Sequence, residues 1–135
     1  MSERFSITTR IYYEDTDAGG VVYYSNYLKF LERCRTEWLR SLGYNQVDLL
    51  QDPGVAFVVR NVNLDYLKPA KLDDLIRIDM GIEKITRSQI FFDQHICREP
   101  QGEELVVGKI QIICVNIAQM KIVSIPPLLR AALEK

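Results

Sequence analysis

A chain of 135 residues, 47% apolar and 26% charged, has room for one globular domain with a real core and too little for two. Its formal net charge of -1 provides no positive field to release nucleic-acid counterions, and no run approaches the roughly 18 apolar residues of a membrane span. The opening MSERFSITTR lacks an apolar signal core, so a cytoplasmic location is expected. The three dispersed cysteines, Cys34, Cys97 and Cys114, fit buried thiols in a reducing compartment better than a disulfide framework.

In chain order, residues 5–13, FSITTRIYY, are rich in β-branched and aromatic types and predict a first strand. The acidic turn EDTDAGG follows, then a long helix over 25–43. Tyr27, Leu31, Cys34, Trp38 and Leu42 recur there every three or four positions. Leu28, Phe30 and Leu39 widen this stripe, so the helix is expected to be wrapped by other structure. Ser25 or Asn26 is the expected N-cap, and Gly43 stands where a left-handed C-terminal residue is wanted. Residues 44–54 predict a short helical turn closed by Pro53 and Gly54.

A long strand follows over 55–67, with Ala56, Val58, Val62, Leu64 and Tyr66 on one side and Arg60 interrupting it. The segment 75–82 alternates, Ile76, Ile78, Met80 and Ile82 facing inward. EKITRS is a polar turn, IFFDQHICRE the next strand and EPQGEE the strongest turn signal. LVVGKIQIICVNI is apolar on both faces, which predicts a central strand. Pro126 and Pro127 open a terminal helix. Strands in successive hairpins need their inner face covered, and only the 25–43 helix is large enough. The expected architecture is α+β, an antiparallel sheet curled around one central helix, over residues 1–135 as a single domain.

The run YYEDTDAGGVVYYSNYLKFLERCRTEWL resembles the signature of the hot-dog-fold acyl-CoA thioesterases of the 4-hydroxybenzoyl-CoA thioesterase class. Within that class it is most similar to the bacterial thioesterases associated with the Tol-Pal system. FVVRNVNLDYLKPAKLDD extends the similarity over nearly the whole chain. The resemblance implies a cofactor-independent thioester hydrolase, homodimeric or homotetrameric, with active sites at the dimer interface. The family's catalytic carboxylate falls on Asp17 and its oxyanion donor on the backbone N–H of Tyr24. Many Tol-Pal-type relatives carry His at that position, so an imidazole role is absent here. Besides acyl-CoA, an acyl carrier protein or an envelope-system component is a partner of the kind the resemblance allows.

The chemistry suits these assignments. A thioester carbonyl set against a helix N-terminus has its developing oxyanion stabilised, and one carboxylate suffices because coenzyme A leaves as a thiolate. Whether Asp17 attacks the carbonyl or activates water stays open. Asp15 reads as a structural residue that holds the turn. Gly19 and Gly20 serve backbone geometry and the close approach of a thioester arm, with Tyr23 beside them. A calcium loop starting at Asp15 fails, since Gly19 and Asn26 stand at its fifth and twelfth positions. His95, the single histidine, has no metal-spaced partners and reads as structural, so no metal site is expected. The resemblance further places nucleotide phosphates near the turn that Lys84 and Arg87 flank, and Arg60, which interrupts an apolar strand face, is a weaker candidate for lining the cleft. The alternative function is a non-catalytic protein that holds an acyl chain or an envelope partner.

Overall fold

The computed structural model describes residues 4–134. The elements are β1 (Phe5–Arg10), a 3-10 turn (Tyr13–Asp15), α1 (Asn26–Ser41), α2 (Gln46–Gln51), β2 (Val55–Tyr66), β3 (Leu75–Ile85), β4 (Gln89–Arg98), β5 (Glu103–Asn116), β6 (Lys121–Ile122) and α3 (Pro127–Leu133). Together they form a hot-dog fold. One antiparallel sheet in the order β1-β3-β4-β5-β2 curls around α1, with β6 pairing to β5.

The inward residues of β3 are those the alternation predicts, with Ile82 only partly buried, and β4 adds its own. Ile76, Ile78, Met80, Ile90, Phe92 and Ile96 are all buried. They meet Tyr27, Phe30, Leu31, Cys34 and Trp38 of α1, and the Trp38 ring stands edge-on to Phe92 at 5.3 Å. Each such side chain contributes roughly 1.5–3 kcal/mol by leaving water. Burial raises the Cys34 thiol to about 12 and the Cys114 thiol to about 11, so both stay protonated, packed and unreactive.

Several expectations need correction. Successive hairpins hold only for β3, β4 and β5; β2 crosses over to the far side of β5 and leaves its other edge unpaired among the described residues. β1 is shorter than expected, because the chain turns at Tyr13. Arg60 sits in a β-bulge, where the pairing slips between Val59 and Asn61. The bulge inserts one residue and reverses the alternation. Val55 and Phe57 therefore pack inward before it and Leu64 after it, instead of one continuous even-numbered face.

The helix ends also differ in detail. Ser25 stands at the N-cap in a helical conformation without a side-chain cap, while Asn26 Nδ2 donates to the Asp15 carbonyl at 2.9 Å. At the other end Gly43 takes φ +92 and its N–H reaches Arg40 O at 3.0 Å, the left-handed closure expected there.

Candidate functional site

Residues 15–23 form a miniature hairpin. Asp17 N donates to Val21 O at 2.9 Å, Gly20 N to Asp17 O at 3.1 Å and Tyr23 N to Asp15 O at 3.2 Å, with Thr16 bridged to Val22. Gly20 at φ +78 makes the tight reversal, in a region where a Cβ is strained. The Asp17 carboxylate is exposed, and its Oδ1 accepts the Gly19 N–H at 2.8 Å. Asp15 is turned the other way. Its Oδ2 accepts Tyr12 N at 2.9 Å, and its carbonyl takes both the Tyr23 N–H and the Asn26 amide. Asp15 thus ties the hairpin to the first residue of α1.

A second layer backs this junction. Val22 N donates to Ala70 O at 2.8 Å and Leu72 N to Gly20 O at 3.1 Å, while Ala70 N donates to the buried Tyr27 hydroxyl at 3.0 Å. Burial pushes the Tyr27 phenol above its ordinary value, so it remains a neutral acceptor. Tyr23 and Tyr24 lie together at 4.9 Å, and Tyr24 meets Tyr66 edge-on at 6.4 Å. The Tyr24 N–H has no hydrogen-bond partner among the described residues. A carboxylate and an unsatisfied backbone donor at a helix start can together hold and polarise a carbonyl.

The other candidate residues are elsewhere. Lys84 stands over the Phe91 ring at 5.6 Å, and Arg87 Nη1 donates to Ser124 Oγ at 2.8 Å. Arg60 is exposed at the β2 bulge. The hairpin adjoins the Leu75 end of β3, through Ile11 N to Asp74 O and Leu72 N to Gly20 O. Lys84 and Arg87 lie at the opposite end, across eleven strand residues, about 33 Å of contour at ordinary strand rise. Asp17, Gly19, Gly20, Tyr23 and Tyr24 are therefore brought together, and the basic turn is not.

His95 lies between carboxylates on the outer face of the sheet, Nδ1 2.5 Å from Glu104 and Nε2 3.2 Å from Asp93. Asp93 is also bonded to Arg4 at 3.0 Å and Lys109 at 3.4 Å, a surface network remote from the hairpin. Among the described residues no group of three His, Cys, Asp or Glu side chains is arranged to hold a metal ion.

Sequence reasoning missed a cavity of about 270 Å³ between the three helices α1, α2 and α3 and the strands β2, β4 and β5. Glu32, Arg35, Thr36 and Gln46 supply its polar lining; Leu39, Phe57, Val59, Phe92, Leu129 and Leu133 are among the apolar walls. Arg35 is anchored by Nη1 donating to Gln94 Oε1 at 2.8 Å, and the fully buried Gln94 donates onward to Leu31 O at 3.2 Å. Burial lowers the Arg35 guanidinium from its ordinary value, against the opposing pull of Glu32. The sequence signal was present: Leu28, Glu32, Arg35 and Leu39 repeat at intervals of three and four on a second face of α1.

The chain matches the Thioesterase-like superfamily over residues 11–133. It is 42% identical to an acyl-CoA thioesterase YbgC of Haemophilus influenzae over 98% of this chain and 96% of that protein. It is 39% identical to an acyl-CoA thioester hydrolase YbgC of Escherichia coli over 90% of each. A probable thioesterase from Bartonella henselae superposes with a TM-score of 0.86 at 33% identity, over 92% of this chain and all of that one. A 1,4-dihydroxy-2-naphthoyl-CoA thioesterase from Synechocystis, at 20% identity, shares the fold with a TM-score of 0.91 over 98% of this chain and 97% of that one. With a carboxylate hairpin set on the start of the central helix, and with relatives of this identity along nearly its full length, the chain belongs to the thioesterase-like superfamily.

Proposed function

We propose that the chain hydrolyses acyl-CoA thioesters to the free acid and coenzyme A, with Asp17 and the Tyr24 N–H as its catalytic groups. The thioester oxygen takes the Tyr24 N–H, next to the positive end of the helix. Asp17 then attacks the carbonyl carbon, or takes a proton from the water that does. The C–S bond breaks and the electron pair leaves on the thiolate of coenzyme A; in the first route water then cleaves the acyl–Asp17 anhydride to release the acid, and in the second the proton held by Asp17 passes to the thiolate. The observation that carries this reading is the pairing of an exposed, pinned carboxylate with an unpartnered N–H at one helix start. Gly19 and Gly20 leave room for the thioester arm, and Tyr23 flanks it. Measuring thiol release from a series of acyl-CoA substrates tests it: turnover is expected, and none with any substrate would leave a binding protein.

The site is completed by a second copy, in this proposal. Lys84 and Arg87 are a strand's length from Asp17 within one chain, too far to meet the nucleotide end of the same thioester. β2 offers an unpaired edge, with Val58, Val59, Val62 and Tyr66 exposed along it. An edge of this kind pairs with another strand unless it is protected. Joining two β2 edges makes a dimer, two dimers make a tetramer, and the partner's basic turn then meets the phosphates, with Arg60 at the seam. Light scattering is expected to show at least a dimer; a stable monomer at micromolar concentration would exclude the shared site. A cytoplasmic enzyme fits an acyl-CoA substrate, and no described helix is long and apolar enough to cross a membrane.

A further inference from the structure

The cavity lies along α1 from Glu32 to Leu39, and the catalytic hairpin is at the other end of the same helix. On one face of the helix Leu28 and Glu32 are exposed, Arg35 and Thr36 half-buried, and Leu39 buried. From Asn26 to Arg35 this face runs about 13 Å at the helical rise. Beyond Thr36 and the Gln46 amide that donates to it at 3.4 Å the walls are apolar, and two of them, Leu129 and Leu133, come from α3. Both are at most 2% exposed, whereas their neighbour Leu128 is 79% exposed.

α3 is not part of the sheet and is held by its own bonds. Arg130 Nη1 donates to Thr86 O at 2.6 Å, Ile125 N to Arg87 O at 2.8 Å and Arg87 to Ser124 at 2.8 Å. These ties fix the helix across the end of the cavity, so its inner leucines form a wall of defined position.

We propose that α3 sets the length of the acyl chain this enzyme accepts. A straight aliphatic acyl group lies along α1 past Glu32 and Arg35, with its methyl end stopped by Leu129 and Leu133. The proposal rests on the thioesterase reading given above. An apolar occupant follows from the apolar floor, where a terminal carboxylate would lose its hydration without gaining a partner. Arg35 and Gln46 stay at the polar end, beside the part of the substrate nearer the thioester.

The test is kcat/KM for straight-chain acyl-CoA substrates from two to sixteen carbons. In the parent it is expected to rise about fourfold per added methylene, the value of burying one CH₂, and then to fall at a cutoff. Leu133→Ala moves the cutoff at least two carbons longer, and Leu133→Phe moves it shorter. Mere destabilisation would not move it in opposite directions. Leu133→Val gives the same outward shift in smaller measure should alanine unfold the helix, with folding followed by melting temperature. An unchanged cutoff in folded variants overturns the role of α3 alone. A parent that cleaves no member of the series but hydrolyses an aromatic acyl-CoA overturns this proposal alone; one that hydrolyses neither kind overturns the thioesterase reading, and this proposal with it.

Discussion

Asp17 Oδ1 accepts the Gly19 N–H at 2.8 Å, and a Cβ placed on Gly19 would stand 3.3 Å from that same oxygen. The catalytic carboxylate of the proposed mechanism therefore also shapes its own turn, and the turn aims it. Asn in its place retains an acceptor for Gly19 and loses only the charge. Asp17→Asn is expected to fold as the parent does and to lose roughly 10²-fold or more in kcat, the scale of positioned acid–base catalysis. Steady-state kinetics beside a melting curve measures both, and full turnover in a folded variant would exclude the carboxylate from the chemistry.

Asp15 makes the opposite prediction. Its carboxylate caps Tyr12 N and its carbonyl ties the hairpin to Asn26. Asp15→Ala should cost on the order of 1 kcal/mol of stability, a typical hydrogen bond, with a smaller effect on turnover per folded molecule. Chemical denaturation reads the first and kinetics the second. A stable variant with collapsed kcat would assign Asp15 to the reaction instead.

The separation of Asp17 from the basic turn predicts complementation between subunits. Asp17→Asn and the double variant Lys84→Glu/Arg87→Glu should each be impaired alone, the second mainly in KM, since uniform binding is lost. In a mixed dimer one site carries both defects and the other carries neither. Activity should therefore reappear on refolding the two variants together. Absence of recovery in verified mixed dimers would place both groups of one site in one chain.

Gln94→Leu tests the buried polar chain behind the cavity. It removes the acceptor of Arg35 Nη1 and the donor to Leu31 O in a fully buried place. A loss of about 1–3 kcal/mol is expected from the groups left unsatisfied. A neutral result in denaturant would show that the cavity hydrates Arg35 by itself.

Asp93 makes stability depend on pH. Desolvation works to raise its carboxyl, but His95, Lys109 and Arg4 outweigh it and hold it below the ordinary value. The stabilisation is thus present at and above the usual carboxylate range and lost as pH falls through the depressed folded value. Asp93→Asn should be less stable than the parent at pH 7, by on the order of 1 kcal/mol for a partly exposed network. The difference should close on acidification below pH 4, as followed by melting temperature. A pH-independent difference would mean that packing, not charge, is what the residue supplies.

Much of this molecule was legible locally. The acidic turn, α1 and the alternation of Ile76, Ile78 and Met80 follow from spacing, because a helix or strand imposes its period on whichever residues face the core. Asp17 and Tyr24 were singled out through the family resemblance, which could be read because its signature, an acidic turn followed by a helix start, is written in adjacent residues. Gly43 was legible for the same reason, since φ +92 is a local demand.

Tertiary structure alone decided the rest. Whether β2 pairs with β3 or with β5 depends on which strand edge is free and complementary across some fifty residues of chain, and local pattern does not contain that choice. The bulge at Arg60 reverses the faces of β2 only in register with β5, so Val59 reaches the cavity although Val58 was expected inward. Leu129 and Leu133 read as an ordinary terminal helix until α3 docks on the turn 86–88 and places them at the end of a cavity six elements share. An element's period is set by its own backbone, but a cavity is the space left between elements, and that space exists only once all of them have packed.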